Sequence, residues 1–187
     1  MTKNTLLKML WILLATFFLT TVLDAAGKMK PLRLEGVAVA GDIDKFVKKL
    51  AKGGFLVTET REDEVRMVGC WEGRPGARVS IRCGRSGREV ESVTVDVDGS
   101  SDWEPLAAQY DAIVSELGAK FGDTAEAVSS FGEGAVNNDT GRILRVIAGK
   151  NDHHTSWNLK GGAVVTSLLH EDGRFLIRTR YLVDVKF

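Results

Sequence analysis

The spacing of apolar residues changes from helical to alternating twice along the chain, and this constrains the fold more than any other feature. The first helical stripe lies between a cap at Asp42 and a stop at Gly53-Gly54, and it consists of Ile43, Phe46, Val47 and Leu50. The second, closed by Gly122, consists of Leu106, Tyr110, Ile113, Val114, Leu117 and Phe121. Both stripes predict amphipathic helices with one buried face.

Alternating segments follow each predicted helix. After the first helix we predict strands at 55–60, 64–71, 77–83 and 90–97, and after the second at 154–159, 163–170 and 174–185. A leading strand is predicted at 32–39. Pro75-Gly76 suits a type II turn, whereas Gly161-Gly162 and Asp172-Gly173 suit hairpin turns. Residues 140–148 fit a short helix or a buried strand, with the helix favoured, and 124–138 gives no clear pattern.

These elements predict an α+β fold. We expect tandem modules, each a helix followed by three antiparallel strands, with both helices packed on one face of a mostly antiparallel sheet. The modules would span 27–98 and 99–187 and share one compact domain. A duplication is a hypothesis that requires the two halves to superpose.

The first 26 residues have the pattern of a removable export signal. Lys3 and Lys8 precede an uncharged run at 9–23, and small residues at 25–27 offer a cleavage site. The run is about 15 residues, shorter than the roughly 20 that a membrane-spanning helix needs. We therefore expect a periplasmic or secreted protein with no stable membrane span after signal removal.

Charge and motifs narrow the function. The chain has 25 basic and 25 acidic residues, so it lacks the excess positive charge that attracts nucleic acid. It contains no recognised hydrolase, nucleotide or metal signature, and Ser129-Ser130 has no histidine pattern near it. We expect a non-enzymatic protein with no cofactor that binds a protein or glycan partner through a sheet face. The alternative is a secreted hydrolase whose site is assembled only in three dimensions.

Cysteines and histidines are the first candidate site residues. Cys70 and Cys83 lie on neighbouring predicted strands and form either a cross-strand disulfide or two buried thiols. The twelve residues between them do not fit a catalytic redox pair. His153 and His154 should point to opposite faces of a strand, which disfavours a shared metal ion, and His170 is distant in sequence.

Arginines and tryptophans suggest a binding face. The densest basic segment contains Arg74, Arg78, Arg82, Arg85 and Arg88, which could bind an anion or pair with acids on adjacent strands. The tryptophans at 71, 103 and 157 fit core packing better than an exposed strip. As the candidate binding face we select Trp71, Arg74, Arg78 and Arg82, because aromatic and arginine side chains are enriched at binding hot spots.

Several short motifs carry a resemblance over most of the chain after the signal. They are Leu34-x-Gly36, Asp42-x-x-x-Phe46, Gly69-x-Trp71-x-Gly73, Trp103 to Tyr110 to Leu117-x-x-Lys120-Phe121-Gly122, and Trp157 to Gly161-Gly162. The chain resembles uncharacterised exported proteins of gut bacteria, and its tandem modules are similar to those of beta-lactamase inhibitor protein. A single related module occurs in the small lipoprotein of the outer-membrane barrel-assembly machine, but no cysteine is present here for lipidation. The resemblance implies a fold and a binding role, and no activity.

Overall fold

The structure is a computed structural model that describes residues 31–84, 88–131 and 138–183. The expected export signal at 1–26 and the last two residues of the strand expected at 174–185 lie outside these ranges. In the described part of the chain, no helix is both long and apolar enough to cross a membrane.

Three helices are described: α1 (Ile43–Lys52), α2 (Trp103–Phe121) and α3 (Asp139–Ile147). The Asp42 carboxylate caps α1 by accepting from the backbone N–H of Lys45 at 3.0 Å, which satisfies a donor that the first helical turn leaves free. The predictions of all three helices are confirmed, including the choice of a helix over a strand near residue 144.

Eight strands form one fully antiparallel sheet in the described residues, in the order β3-β4-β5-β6-β10-β9-β8-β7. Their bounds are β3 (Leu56–Thr60), β4 (Glu64–Trp71), β5 (Arg74–Cys83), β6 (Val90–Asp98), β7 (Glu126–Ser130), β8 (Asp152–Leu159), β9 (Gly162–Glu171) and β10 (Arg174–Val183). A separate small hairpin joins β1 (Arg33–Leu34) to β2 (Val37–Ala38). The α+β class and the antiparallel sheet are therefore confirmed.

The helices bury one face of the sheet, which we call the inner face. α1 contributes Phe46 and Leu50 to the core, and α2 contributes Tyr110, Ile113 and Leu117. They pack with inner-face residues that include Val79, Ile81, Val93, Val95 and Tyr181. This is the core expected from the apolar stripes, except that Val47, Val114 and Phe121 are only partly buried.

Four details differ from the sequence predictions. The segment at 32–39 is a two-strand hairpin that turns at Glu35-Gly36, not one strand. The turn between β4 and β5 falls at Glu72-Gly73, so Pro75-Gly76 lies within β5. The polar strand β7 was not predicted. Four strands follow α1, and α3 interrupts the strands that follow α2, so the repeated pattern of a helix and three strands is not confirmed.

Candidate binding face

The outer face of the sheet, opposite the helices, contains a concavity of about 890 Å³. Its lining comes from β3, β4, β5, β6 and β10 and from the turn after β9. Six arginines and four acidic residues line it, and no aromatic side chain does among the described residues. The inner face of the same strands is apolar, because successive strand residues point to opposite sides.

Two bidentate ion pairs cross the strands on one side of this concavity. Arg78 on β5 donates to Asp98 on β6 at 2.8 and 3.1 Å. Arg178 on β10 donates to Asp96 at 2.7 and 2.8 Å and to Glu171 at 2.5 Å. The hydrogen bonds donated by Arg78 lower the pKa of Asp98, and those that Asp96 accepts raise the pKa of Arg178. These arginines and their acids largely neutralise one another.

A second charged group lies where β3, β4 and β5 meet. Arg66 donates to Glu64 at 3.1 Å and to Glu59 at 3.0 Å. Arg82 approaches the other oxygen of Glu64 at 3.6 Å, and its own side chain is 66% exposed. Glu64 therefore pairs with two arginines, and the positive charge of Arg82 is only weakly neutralised.

Arg180 differs from its neighbours on the outer face. It is exposed on β10 and has no hydrogen bond or ion pair with any residue in the described ranges. The strand register places it opposite Thr94 on β6, and Thr94 lies opposite Ser80 on β5. The hydroxyls of Thr94 and Ser80 are likewise without a side-chain hydrogen bond among the described residues. The result is a charged donor beside two free hydroxyls.

The four residues predicted as a binding face do not form one surface. Trp71 is fully buried on the inner face, where its indole N–H donates to the Tyr181 hydroxyl at 3.3 Å. It follows Val65 and Met67 in the β4 alternation, and this places it in the core. Arg74 turns toward α2 and donates to Glu116 at 2.6 and 3.1 Å. Only Arg78 and Arg82 line the outer concavity.

Arg88, the last described member of the predicted basic segment, lies away from this face and pairs with Asp44 of α1 at 2.6 Å. Arg85 lies outside the described residues. Arg178 and Arg180, which the sequence reasoning missed, alternate on β10 with the buried Ile177, Thr179 and Tyr181. The alternation of arginine with uncharged residues in this part of the sequence could have revealed them, because it places Arg178 and Arg180 on the outer face.

The two cysteines are not joined. Both are free thiols. Cys70 lies beside Gly69, which pairs with Ala77, whereas the backbone N–H of Cys83 binds the carbonyl of Asp63. The six residue-to-residue steps from Ala77 to Cys83 extend roughly 20 Å along the strand. A disulfide tolerates no more than about 7 Å between alpha carbons, so the structure does not support the cross-strand disulfide.

The neighbouring histidines point to opposite faces of β8, as predicted. His153 packs on the inner side against Tyr110, with ring centres 4.6 Å apart, and burial lowers its pKa. On the outer side, His154 contacts Asp152 at 2.7 Å and Glu126 at 3.5 Å, and the bond to Asp152 raises its pKa. His170 packs on Phe175. Among the described residues no group of three or more metal-ligating side chains is arranged to hold an ion.

Ser129 and His153 form a contact that the sequence did not reveal. The Ser129 hydroxyl lies 2.9 Å from His153 Nδ1, across the β7–β8 pair. The nearby Asp152 carboxylate contacts His154 instead. Tyr110, whose pKa burial raises to about 12, bonds Thr155 at 2.9 Å beneath the pair. The pair therefore has a potential nucleophile and base but no carboxylate bonded to the imidazole among the described residues.

Trp103 and Trp157, the other two tryptophans in the described residues, belong to the core, as favoured. Trp103 is 8% exposed, and Trp157 is fully buried. Trp103 meets Phe131 edge-on at 5.1 Å, and Trp157 packs near Phe121. Neither is available to stack on a sugar ring.

Comparison with protein-family models, with curated proteins and with solved structures finds no match. The function is therefore argued from the geometry of the chain itself.

Proposed function

We propose that this chain is an exported, non-enzymatic protein that binds another protein through the outer face of its sheet. The observation that carries the proposal is the outer concavity, in which an exposed arginine, Arg180, has no partner among the described residues and lies beside a set of paired charges. Concave surfaces with a few unsatisfied polar groups are where ligands bind. Export is proposed on the pattern of residues 1–26 alone.

The two faces of the sheet differ in what their side chains contact, and this difference supports the outer face as the binding surface. The inner face is occupied by the helices and by aromatic side chains such as Trp71 and Trp157. The outer face carries arginines, which are enriched at protein interfaces. A bound partner would cover that face without disturbing the core.

A pull-down with two matched variants tests the proposal. Thr94→Tyr adds an aromatic ring to the lining of the concavity, whereas Ser156→Tyr adds one on the outer face of β8, outside the lining. Tyrosine is well tolerated in strands, so both variants should fold. We expect Thr94→Tyr to lose partners that the unaltered protein and Ser156→Tyr both retain. Retention of every partner by a folded Thr94→Tyr variant contradicts the proposal.

Substitutions at Trp71 or Arg78 would test binding less cleanly. Trp71→Ala would create a cavity in the core, so a loss of binding could follow from unfolding. Arg78→Glu would also place a carboxylate beside Asp98. Thr94 carries no charge, and its side chain has no partner to lose among the described residues.

A hydrolase is the second candidate, and the contact between Ser129 and His153 is the observation that favours it. A serine activated by histidine can attack an acyl group. Purified protein should then cleave at least one of a panel of esters and peptides, and Ser129→Ala should abolish that cleavage. Activity that persists in Ser129→Ala excludes this site.

We further propose that the two halves are copies of one module, as the resemblance to beta-lactamase inhibitor protein suggests. The sheet order is symmetric about the β6–β10 pair, with β3 to β6 on one side and β7 to β10 on the other. Superposition of α1 and β3–β6 on α2 and β7–β10 tests the idea. A poor fit of these corresponding strands would reject it.

A further inference from the structure

We infer that the outer concavity takes an acidic segment of the partner protein, with a carboxylate of that segment held by Arg180. The inference rests on the proposed function, because it names the chemistry of the partner that the same face would bind. Its basis is charge complementarity between one free guanidinium and an incoming anion.

The first step is that Arg180, among the described residues, is the arginine of this face with neither a hydrogen bond nor an ion pair. Arg82 and Arg174 have only long contacts, at 3.6 Å with Glu64 and 3.9 Å with Asp98. Arg78 and Arg178 each use two nitrogens on a carboxylate, and Arg66 bridges two acids. Arg180 has no such partner within the described ranges. A planar guanidinium binds a carboxylate through two parallel hydrogen bonds. The N–H groups of Arg180 can therefore bind a carboxylate of the partner protein.

The second step is the local supply of further donors. Thr94 lies directly opposite Arg180, at the roughly 5 Å separation of paired strand residues. Ser80 continues the row on β5. Their hydroxyls are free to donate to the second oxygen of a bound carboxylate or to the backbone carbonyls of its segment.

The third step is the sign of the surrounding charge. The lining holds six arginines and four acidic residues, and two further acids, Glu59 and Asp98, pair with Arg66 and Arg78. The charges of the face therefore balance as a whole, and the positive charge left without a partner among the described residues is that of Arg180. Asp96 and Glu171 are both held by Arg178, so neither of them is a partner of Arg180. Arg82 adds a second, weakly compensated cation within the same lining.

The composition of the lining favours a peptide over a sugar or a nucleic acid. Sugars and bases are usually held by stacking on aromatic rings, and the described lining has none. It offers instead the aliphatic side chains of Val68, Leu176 and Leu182 between the charged groups. Such a mixture suits an extended segment in which acidic residues alternate with small or apolar ones.

The test uses fluorescence anisotropy with the purified full-length protein and labelled eight-residue peptides. The probe alternates threonine with glutamate, so all its carboxylates share one side when the peptide is extended. A peptide with glutamine in place of glutamate is the matched control. Arg180→Gln is compared with Lys48→Gln, which removes one positive charge from an exposed site on α1.

We expect the glutamate peptide to bind at least about tenfold more tightly than the glutamine peptide, as charge-assisted hydrogen bonds imply. Arg180→Gln should weaken binding at least about fivefold, and Lys48→Gln should change it by less than about twofold. Raising the salt concentration should weaken binding by the unaltered protein. Equal binding by Arg180→Gln and the unaltered protein overturns the inference.

Two further outcomes separate the inference from the proposed function. If the glutamate peptide fails to bind, or a heparin oligosaccharide or inorganic phosphate binds more tightly in an Arg180-dependent manner, the acidic-segment inference is rejected. The proposed protein-binding function survives that result if Thr94→Tyr still loses a partner that Ser156→Tyr retains. If Thr94→Tyr keeps every partner, the proposed function fails whatever the peptides do.

Discussion

The inner and outer faces of the sheet are built from the same strands, but different interactions hold the side chains of each face in place. Inner residues such as Trp71 and Ile81 are buried against helices, and each has its place fixed by packing. Outer residues such as Arg78 and Arg178 are held by ion pairs across neighbouring strands. The inner face therefore determines most of the stability of the fold, and under the proposed function the outer face determines what the protein binds.

Truncation of the inner face gives the largest expected effect. Trp71→Ala should lower the free energy of unfolding by about 3 to 5 kcal/mol, because it leaves a cavity and removes the hydrogen bond to Tyr181. Leu182→Ala on the outer face, where Leu182 is 41% exposed, should cost less than about 1 kcal/mol. Urea unfolding monitored by circular dichroism measures both. Comparable losses would contradict the contrast between the faces.

Replacing each of two glycines with alanine should change the free energy of unfolding in opposite directions. On β4, a Cβ at Gly69 would lie 2.4 Å from a ring carbon of Phe55, so Gly69→Ala should destabilise by about 1 to 3 kcal/mol. In α2, a Cβ at Gly118 meets nothing within 4 Å, so Gly118→Ala should stabilise by about 0.5 to 1 kcal/mol. Thermal unfolding distinguishes the two, and destabilisation by Gly118→Ala would show that its side of α2 is also tightly packed.

On the outer face, paired and unpaired arginines should differ. Arg178 is 17% exposed and binds the equally covered Asp96, so Arg178→Gln should destabilise by about 1 to 2 kcal/mol because a partly buried carboxylate loses its partner. Arg180→Gln should change stability by less than about 0.5 kcal/mol. Chemical unfolding of both variants provides the measurement. A large loss at Arg180 would mean that its side chain is structural.

The smallest expected effect is the pH dependence of stability that comes from the two adjacent histidines, one on each face of the sheet. The half-buried His153 should remain neutral below its ordinary pKa of about 6.5, and His154 should remain protonated above it. His154 therefore adds stability that is complete below that value and is lost as the pH rises through its raised pKa. For His153 the sign is reversed, because the folded state resists protonation as the pH falls. NMR titration of the two imidazoles checks the order, and a higher pKa at His153 would refute it.

The sequence predicted elements whose apolar spacing is regular. α2 and strands β4 and β6 were found because their buried residues repeat at helical or alternating positions. β7 was missed because Glu126, Ser129 and Ser130 give no apolar alternation, and in the structure only Val128 is partly covered. An edge strand can be held mainly by backbone pairing, which leaves little trace in side-chain pattern.

Turns show a similar limit. Glu35-Gly36, Glu72-Gly73 and Asp172-Gly173 all have positive φ at both residues, as two-residue hairpin turns require. Only the Asp-Gly turn was predicted, because aspartate commonly adopts this conformation and glutamate rarely does. Misplacing the turn after β4 also brought Cys70 and Cys83 too close in the predicted hairpin.

The candidate site was harder to predict than the fold. Arg78 and Arg82 were correctly assigned to the solvent side of β5, but Trp71 was grouped with them although it alternates with Val65 and Met67. Arg180 was missed because its significance depends on having no partner, and partners on β6 and β9 are set by register across the sheet. No local pattern contains that information.

The β6–β10 pair described above also has a consequence for folding kinetics. It joins Asp96 to Arg178, 82 positions apart in the chain, whereas β4–β5 and β9–β10 are joined by short turns. Long-range pairing bears a larger loop-closure entropy, so this seam should form late and limit the refolding rate. In stopped-flow refolding, Val95→Ala at the seam should therefore slow folding more than Met67→Ala in the β4–β5 hairpin. The hairpins in each half of the sheet would then form before β6 and β10 pair and join the two halves into one sheet.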